Sequence, residues 1–277
     1  MIFFKHKAKE TTTVKTTIES VIEKPQEPEK KAFDEVAPHE IGKLDMVIAF
    51  DTTGSMASYI GAVRQEVSDL IPKLFKDNPD LRLGIVAFGD YCDMPNAQEF
   101  GKAYQCIMPT DNENELIRFI KESQDTSGGD GDEFYELVIK KIVEETPWRE
   151  DSNRSILLIA DARPHGIGYS YCRINNIIIR DNLIDWREEA RNAAAQKIKI
   201  DTVTITDEPW FKELSAITNG ISVPFQTGYK TGRLMEAAIY AKGSEASRMK
   251  FDKLEAECAD PEMAAVFRKY RLEREKN

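Results

Sequence analysis

The chain has 277 residues, of which 41% are hydrophobic, so it is long enough for one α/β domain with flanking segments and can fill a core. Its formal net charge of −10 argues against non-specific binding to nucleic acids and anionic membranes, because both are polyanions. The four cysteines stand far apart without a Cys-x-x-Cys pair, which argues against a zinc knuckle or a disulfide-stapled small domain.

Residues 1–42 are predicted to be a disordered tail. They are rich in Lys, Glu and Thr, and they carry too few large apolar side chains to offset the entropy lost on ordering. The apolar start, Met1 to Phe4, is shorter than the hydrophobic region of a signal peptide and precedes the basic residues. Nowhere does the sequence contain the roughly 18 consecutive apolar residues of a membrane-spanning helix. We therefore expect a cytoplasmic protein that does not bind membranes.

Apolar runs after residue 43 predict the strands of a sheet. Nearly continuous runs stand at residues 44–50, 81–88, 155–160 and 198–205, as expected for strands buried on both faces. Residues 100–108 alternate loosely, like an edge strand, and residues 221–225 form a last short strand.

Between these runs, apolar residues recur every three or four positions, which predicts helices. The helices are expected near residues 56–74, 112–123, 134–142, 186–194, 211–217 and 234–239. Strands that alternate with helices need crossover connections. The pattern therefore predicts a doubly wound, Rossmann-like α/β fold with a mainly parallel central sheet, helices on both faces and one antiparallel edge strand.

This domain is expected to span residues 43–242, with a loop excursion at residues 163–183. Residues 243–277 form a predicted helical extension. Its small apolar stripe is expected to pack back on the domain or to meet a partner, and a solvated helix is the alternative. The stripe consists of Met263, Val266, Phe267 and Tyr270.

Oxygen-bearing side chains follow several of the predicted strands. Asp51, Thr53 and Ser55 come after the first strand, Asp161 ends the run at residues 155–160, and the loop 125–130 precedes a helix. Ligands of doubly wound sheets bind at the carboxyl ends of the strands, so these groups are expected to converge. Carboxylates and hydroxyls without Cys or His favour a hard cation, Mg²⁺ first and Mn²⁺ or Ca²⁺ next.

At these residues the sequence resembles the von Willebrand factor A family. The metal-ion-dependent adhesion site (MIDAS) of that family reads Asp-x-Ser-x-Ser after the first strand, with a Thr in a later loop and an Asp after a later strand. Residues 51–55, DTTGS, match the first element with Thr53 in place of a Ser, and Asp161 matches the last. The runs DTTGSM, GGDGDE and LLIADARPHG are similar to the intracellular subgroup that accompanies alpha-kinases. The resemblance covers residues 44–242 and implies the same doubly wound fold.

The third element departs from the family pattern. The family's Thr follows a glycine-rich pair, a position that Asp130 holds here, while Thr126 lies four residues earlier. We favour Asp130 as the ligand because it stands just before the expected helix start, and Thr126 is the alternative. The predicted metal ligands are Asp51, Thr53, Ser55, Asp161 and Asp130, with Thr126 as the substitute for Asp130.

Other polar residues near these motifs are assigned more modest roles. Asp90 and Asp93 follow the second strand and are expected to be solvated loop acids. His165 is expected to shape its loop. Tyr169 and Arg173, together with Tyr171, are hypothesised to form a recognition rim on the excursion.

The resemblance implies a module that binds a protein partner through a divalent ion, with an acidic residue of the partner as one candidate ligand, and no catalysis. Two alternatives stay open. A metal-dependent hydrolase would need a general base within reach of a metal-bound water, and a scaffold with an unused metal site would tolerate Asp51→Ala. The sequence has no Gly-x-x-x-x-Gly-Lys-Ser/Thr loop, which excludes a P-loop nucleotide hydrolase.

Overall fold

The computed structural model describes residues 43–174, 176–225 and 229–275. The predicted disordered tail, residues 1–42, lies outside the described residues.

Strands and helices alternate along the described chain. The strands are β1 (Leu44–Asp51), β2 (Leu81–Phe88), β3 (Tyr104–Thr110), β4 (Asp132–Glu133), β5 (Asn153–Ala160), β6 (Arg163–Pro164), β7 (Tyr171–Arg173), β8 (Asn176–Ile179), β9 (Ile198–Thr204) and β10 (Ser222–Pro224). The helices are α1 (Ile60–Asp77), α2 (Glu113–Glu122), α3 (Tyr135–Glu145), α4 (Trp186–Ala195), α5 (Pro209–Ile217), α6 (Tyr229–Tyr240), α7 (Glu245–Ala256) and α8 (Pro261–Arg274).

Six strands form the central sheet in the order β10-β9-β5-β1-β2-β3. All neighbouring pairs are parallel except β2 and β3, which are antiparallel. The predicted mainly parallel sheet with one antiparallel edge strand is therefore confirmed. In this order β1 lies between β2 and β5, so the carboxyl ends of these three strands meet at the middle of one edge.

Each face of the sheet is covered by its own apolar core. Along β1, Met46, Ile48 and Phe50 point to one face and Val47 and Ala49 to the other, because side chains alternate along a strand. The first core joins α1, α2 and α6, and the second joins α3, α4 and α5. Every residue of β1 is buried, which is why the sequence shows a nearly continuous apolar run there.

The predicted helical extension folds as α7 and α8 and continues the first core. Its apolar stripe is buried there, which confirms that the stripe packs back on the domain. The Tyr270 hydroxyl donates to Asp201 Oδ2 on β9 at 3.2 Å, and Lys242 Nζ donates to the same oxygen at 2.5 Å. The extension is thus attached to the sheet by a buried polar contact as well as by apolar packing.

The excursion after β5 is more regular than a plain loop, because it contains the antiparallel pair of β7 and β8. No helix in the described parts of the chain is long and apolar enough to cross a membrane.

Candidate metal centre

The end of β1 holds a buried carboxylate in a fixed orientation. Asp51 is fully buried, and its Oδ1 accepts hydrogen bonds from the backbone N–H and the hydroxyl of Thr53, both at 2.7 Å. Its Oδ2 accepts from the Tyr135 hydroxyl at 2.5 Å. The Thr53 hydroxyl lies 3.1 Å from the Ser55 hydroxyl. Residues 51–55 therefore place three oxygen-bearing side chains in one row.

The DTTGS motif does not cap the long helix. Residues Gly54–Ser58 form a short 3₁₀ helix, and α1 begins only at Ile60 after Tyr59. Thr53 precedes the 3₁₀ helix, yet its side chain makes no capping hydrogen bond there. The Thr53 hydroxyl instead faces the carboxylates, as a ligand would.

Asp161 reaches the same place from the neighbouring strand. It follows β5, which pairs with β1 up to the contact of Phe50 with Ile159. Its carboxylate is hydrogen-bonded by the Ser55 side chain. Among the described residues, nothing hydrogen-bonds the buried Asp161 Oδ1. The structure thus brings together four of the predicted ligands: Asp51, Thr53, Ser55 and Asp161.

Asp130, the ligand favoured from the sequence, contacts a different set of residues. Its Oδ2 accepts from the Tyr169 hydroxyl at 3.0 Å and its Oδ1 from the Asp132 N–H at 3.1 Å, and the side chain is exposed. The alternative, Thr126, is buried with its hydroxyl 3.0 Å from that of Thr52, where it holds its loop against the end of β1. These side-chain contacts of Asp130 and Thr126 do not include Asp51, Thr53, Ser55 or Asp161.

Glu133 approaches the centre from the third segment. Only 3% of this residue is exposed, and the nearby Thr53 side chain partly opposes the rise in its pKa. The short parallel pairing of β4 with β6 sets Glu133 opposite Pro164, just beyond the end of β5. Among the described residues, Glu133 Oε2 is buried with no hydrogen-bond partner. Glu133 therefore provides a further buried carboxylate close to Thr53 and Asp51.

A glycine makes room for this carboxylate. Gly128 has a φ of +68°, and a Cβ there would lie 2.8 Å from Glu133 Oε1 and 3.4 Å from Thr53 Cβ. Glu133 was not among the ligands predicted from the sequence, although it stands closer to the predicted helix than Asp130 does. Since α3 begins at Tyr135, the acid nearest the helix start is Glu133 and not Asp130.

Burial and mutual repulsion make the three carboxylates hard to ionise together. Burial raises the pKa of Asp51 to about 7, and Asp161 adds to the shift, although hydrogen bonds from Tyr135 and Thr53 oppose it. Burial, followed by the charges of Asp51 and other nearby acids, raises the pKa of Glu133 to about 10. Burial also raises the pKa of Asp161. A bound cation would offset both effects.

The donor set fits a hard divalent cation. Two buried carboxylate oxygens, Asp161 Oδ1 and Glu133 Oε2, lack partners among the described residues, and two hydroxyls lie beside them. Oxygen donors of this kind suit Mg²⁺, Mn²⁺ or Ca²⁺.

A second polar cluster, with ligand types that could also hold a metal ion, joins the loops after β2, α2 and β6. Asp90 is fully buried, and its Oδ1 lies 2.7 Å from His165 Nε2, whose ring stacks on Tyr169 with 3.6 Å between ring centroids. Burial alone would lower the pKa of His165, but the adjacent Asp90 outweighs burial and raises it. Ligand atoms of Asp90, Asp130 and His165 all lie within 4.8 Å of one another.

The expectation that Asp90 and Asp93 are solvated loop acids is wrong. Asp90 Oδ1 is bonded to His165, and the Asp93 carboxylate accepts from the N–H groups of Ser127 and Gly128 at 2.9 and 3.1 Å. Their side chains are buried because both serve as acceptors for the loops that fold over the end of β2.

Comparisons with known proteins agree with this fold. Residues 45–229 match the family described as von Willebrand factor type A domain. The chain is 30% identical over 167 residues to the alpha-protein kinase vwkA of Dictyostelium discoideum, covering 57% of this chain and 25% of the kinase. It is 23% identical over 185 residues to a protein described as ariadne-like RING finger protein of Acanthamoeba polyphaga mimivirus, covering 64% of this chain and 18% of that protein. The chain thus spans a quarter or less of these relatives. It belongs to the von Willebrand factor type A domain family.

Proposed function

We propose that this chain is a non-enzymatic, cation-dependent module that binds a protein partner through the centre at the ends of β1 and β5. Domains of the von Willebrand factor A family commonly mediate protein–protein interactions. The observation that carries the proposal is the pair of buried carboxylate oxygens, Asp161 Oδ1 and Glu133 Oε2, which have no hydrogen-bond partner among the described residues. Buried polar atoms without partners are rare in folded proteins, and a metal ion is one of the groups that satisfies them.

Each residue has a distinct part in the proposed site. Asp161 and Glu133 offer free carboxylate oxygens, and the hydroxyls of Thr53 and Ser55 offer neutral oxygens. Asp51 supplies negative charge and holds the Thr53 hydroxyl in place. A hard divalent cation bound there, Mg²⁺ in the first instance, would supply positive charge for an acidic residue of the partner.

Tyr135 links the residues of this centre through its hydroxyl group. Its hydroxyl donates to Asp51 and accepts from the Ala162 N–H at 3.2 Å, so it links the residues that follow β1 and β5. Its ring lies 5.2 Å from that of Trp210, whose indole N–H donates to the Ala162 carbonyl at 2.8 Å. Trp210 is therefore a natural fluorescent reporter for ion binding.

The first test is titration of MgCl₂, MnCl₂ and CaCl₂ while the tryptophan fluorescence, to which Trp210 contributes, is recorded. We expect saturable binding to the wild type, strong weakening in Asp161→Asn and Ser55→Ala, and wild-type affinity in Asp207→Asn. Asp207 is the matched control because its side chain is 86% exposed and lies outside the centre. Equal affinity in the wild type and Asp161→Asn, measured by calorimetry to exclude a silent reporter, would contradict the proposed metal centre.

The second test concerns the partner. Proteins captured on the immobilised chain in MgCl₂ should be lost in EDTA and on Asp161→Asn, and retained on Asp207→Asn. A specific partner that binds equally well under all these conditions would favour a scaffold whose metal site is unused.

A further inference from the structure

An unusual concentration of exposed apolar side chains lies on the excursion between β6 and α4. Seven large hydrophobic residues are prominently exposed in the described parts of the chain, and four of them fall between residues 167 and 183. These four, called the apolar crest here, are Ile167 (66% exposed), Ile174 (91%), Ile177 (48%) and Leu183 (81%). Clustered exposed apolar residues mark interaction sites more often than isolated ones do.

Hydrogen bonds hold the segment that carries the crest in place. Arg173 donates from its guanidinium to the carbonyls of Cys92 and Met94, which ties the β7–β8 hairpin to the loop after β2. Below the hairpin, the Gly168 N–H donates to the Asn182 carbonyl at 2.7 Å, so the segments that carry Ile167 and Leu183 run side by side. A fixed frame loses little entropy when a partner binds.

The hairpin separates its two faces cleanly. Ile178 points inward and is buried, while Ile177 and its cross-strand neighbour Cys172 are exposed. Ile174 stands at the turn, where it is almost fully exposed. The strand pairing therefore holds the side chain of Ile177 outward.

The excursion that carries the crest starts next to the metal centre. The excursion begins two residues after Asp161, and its first strand pairs with β4 at Glu133. Tyr169, within the excursion, donates to Asp130 and stacks on His165. A partner bound at the centre would therefore meet the excursion next.

We propose that the apolar crest is the second half of the partner-binding surface, and that the partner presents an acidic residue flanked by large apolar side chains. This inference rests on the proposed cation-dependent function. The acidic residue pairs with the cation, and the apolar neighbours cover the crest. Interfaces commonly combine such an apolar contact area with one specific polar contact.

A protein segment suits this surface better than a lipid bilayer. Asp130 and Asp132 lie at the base of the crest, where Asp132 is paired with Arg163, and the whole chain has a net charge of −10. The net negative charge of the chain disfavours binding to anionic headgroups. An acidic partner residue avoids the same repulsion because the cation lies between the charges.

The test uses synthetic peptides with a central Glu flanked by leucines, and matched peptides with Gln for Glu or serines for the leucines. Binding is measured by fluorescence anisotropy in MgCl₂ and in EDTA. The full chain is compared with the crest variant Ile167→Ser/Ile174→Ser/Leu183→Ser. The control variant is Met249→Ser/Leu272→Ser, which removes exposed apolar residues from α7 and α8. Exposed substitutions of this kind rarely unfold a domain.

In MgCl₂, we expect the Leu–Glu peptide to bind the wild type and the control at least about tenfold more tightly than the Ser–Glu peptide. The crest variant should lose this advantage while keeping the Mg²⁺-dependent affinity for the Ser–Glu peptide. If the Ser–Glu peptide binds with Mg²⁺ dependence but leucines give no advantage, the inference fails and the proposed function stands. If no Glu peptide binds with Mg²⁺ dependence, the proposed function fails, and this inference with it.

Three further results would overturn the inference. Crest-dependent binding of leucine peptides that persists in EDTA and with Gln would separate the crest from the metal centre. Crest-dependent binding to phosphatidylserine vesicles would assign the crest to a membrane. Crest-dependent dimers in sedimentation would assign it to a second copy of this chain.

Discussion

Replacement of Glu133 by Gln tests most directly which acid completes the metal centre. In EDTA, the folded protein holds Glu133 with a pKa of about 10, against an ordinary value of 4.5 in the unfolded chain. A raised pKa means that the stability contributed by this group is greatest below pH 4.5 and falls as the pH rises towards 10. Glu133 therefore destabilises the metal-free protein at neutral pH.

The size of this destabilisation at pH 7 follows from the difference between pH 7 and the ordinary pKa of 4.5. At pH 7 the Glu133 side chain is ionised in the unfolded chain and protonated in the folded protein. This pH lies two and a half units above the ordinary pKa. Each unit corresponds to about 1.4 kcal/mol, so the folded state loses about 3 kcal/mol. Gln has nearly the same shape as protonated Glu, but it cannot ionise. Glu133→Gln should raise the free energy of unfolding in EDTA by about 3 kcal/mol at pH 7.

Magnesium should stabilise the wild type much more than Glu133→Gln and so reduce the difference in stability between them. A ligand at a hundred times its Kd stabilises the folded state by about 2.7 kcal/mol. The wild type should gain this free energy in MgCl₂, whereas Glu133→Gln should gain much less. Urea unfolding followed by circular dichroism, with EDTA or MgCl₂ at several pH values, measures both effects.

Asp130→Asn is the matched control, because Asp130 lies in the same loop region but is exposed and contacts Tyr169. It should leave the stability in EDTA and the gain in MgCl₂ close to those of the wild type. If Asp130→Asn abolishes the gain and Glu133→Gln keeps it, the ligand is Asp130 and the reasoning from burial and partners is refuted.

Two predictions concern buried carboxylates away from the metal centre. Burial would raise the pKa of Asp45, but hydrogen bonds from Arg82 and Arg149 outweigh it and lower the pKa to about 2. Asp45→Asn should therefore reduce the free energy of unfolding by about 2 kcal/mol at pH 7, and the difference from the wild type in urea titrations should vanish as the pH falls from 3.8 to 2. Tyr270→Phe removes a donor to the buried Asp201 carboxylate and should cost about 2 kcal/mol in the same assay; an unchanged midpoint would show that the contact adds nothing.

The fold was predictable because its central strands are buried on both faces. A strand such as β1 can contain little but apolar residues until it ends, so the runs and their polar ends are visible without a structure. The same rule located Asp51 and Asp161, because each directly ends an apolar run. Prediction from the sequence succeeds where one local constraint, here the burial of a strand on both faces, decides which residues can occur.

The third segment of the centre was not predictable in this way. Between α2 and α3 several acids follow one another in a stretch rich in glycine, and no periodicity distinguishes them. The position of Glu133 is determined by the two-residue pairing of β4 with β6, which joins distant parts of the chain. Asp90 illustrates the same limit, since its burial depends on His165, seventy-five positions further along the chain.

The helices after β10 bear on how the protein is divided for experiments. The family match ends at residue 229, but Leu234 of α6, Phe251 of α7 and Phe267 of α8 are all buried in the first core. A recombinant fragment trimmed to the match would expose the apolar face of α1 that α6 covers, and one stopped at residue 242 would expose the face of α6 that α7 and α8 cover. Either fragment would also lack the Tyr270 hydroxyl that donates to the Asp201 carboxylate. Such a fragment should be poorly soluble, so the minimal folding unit extends through α8.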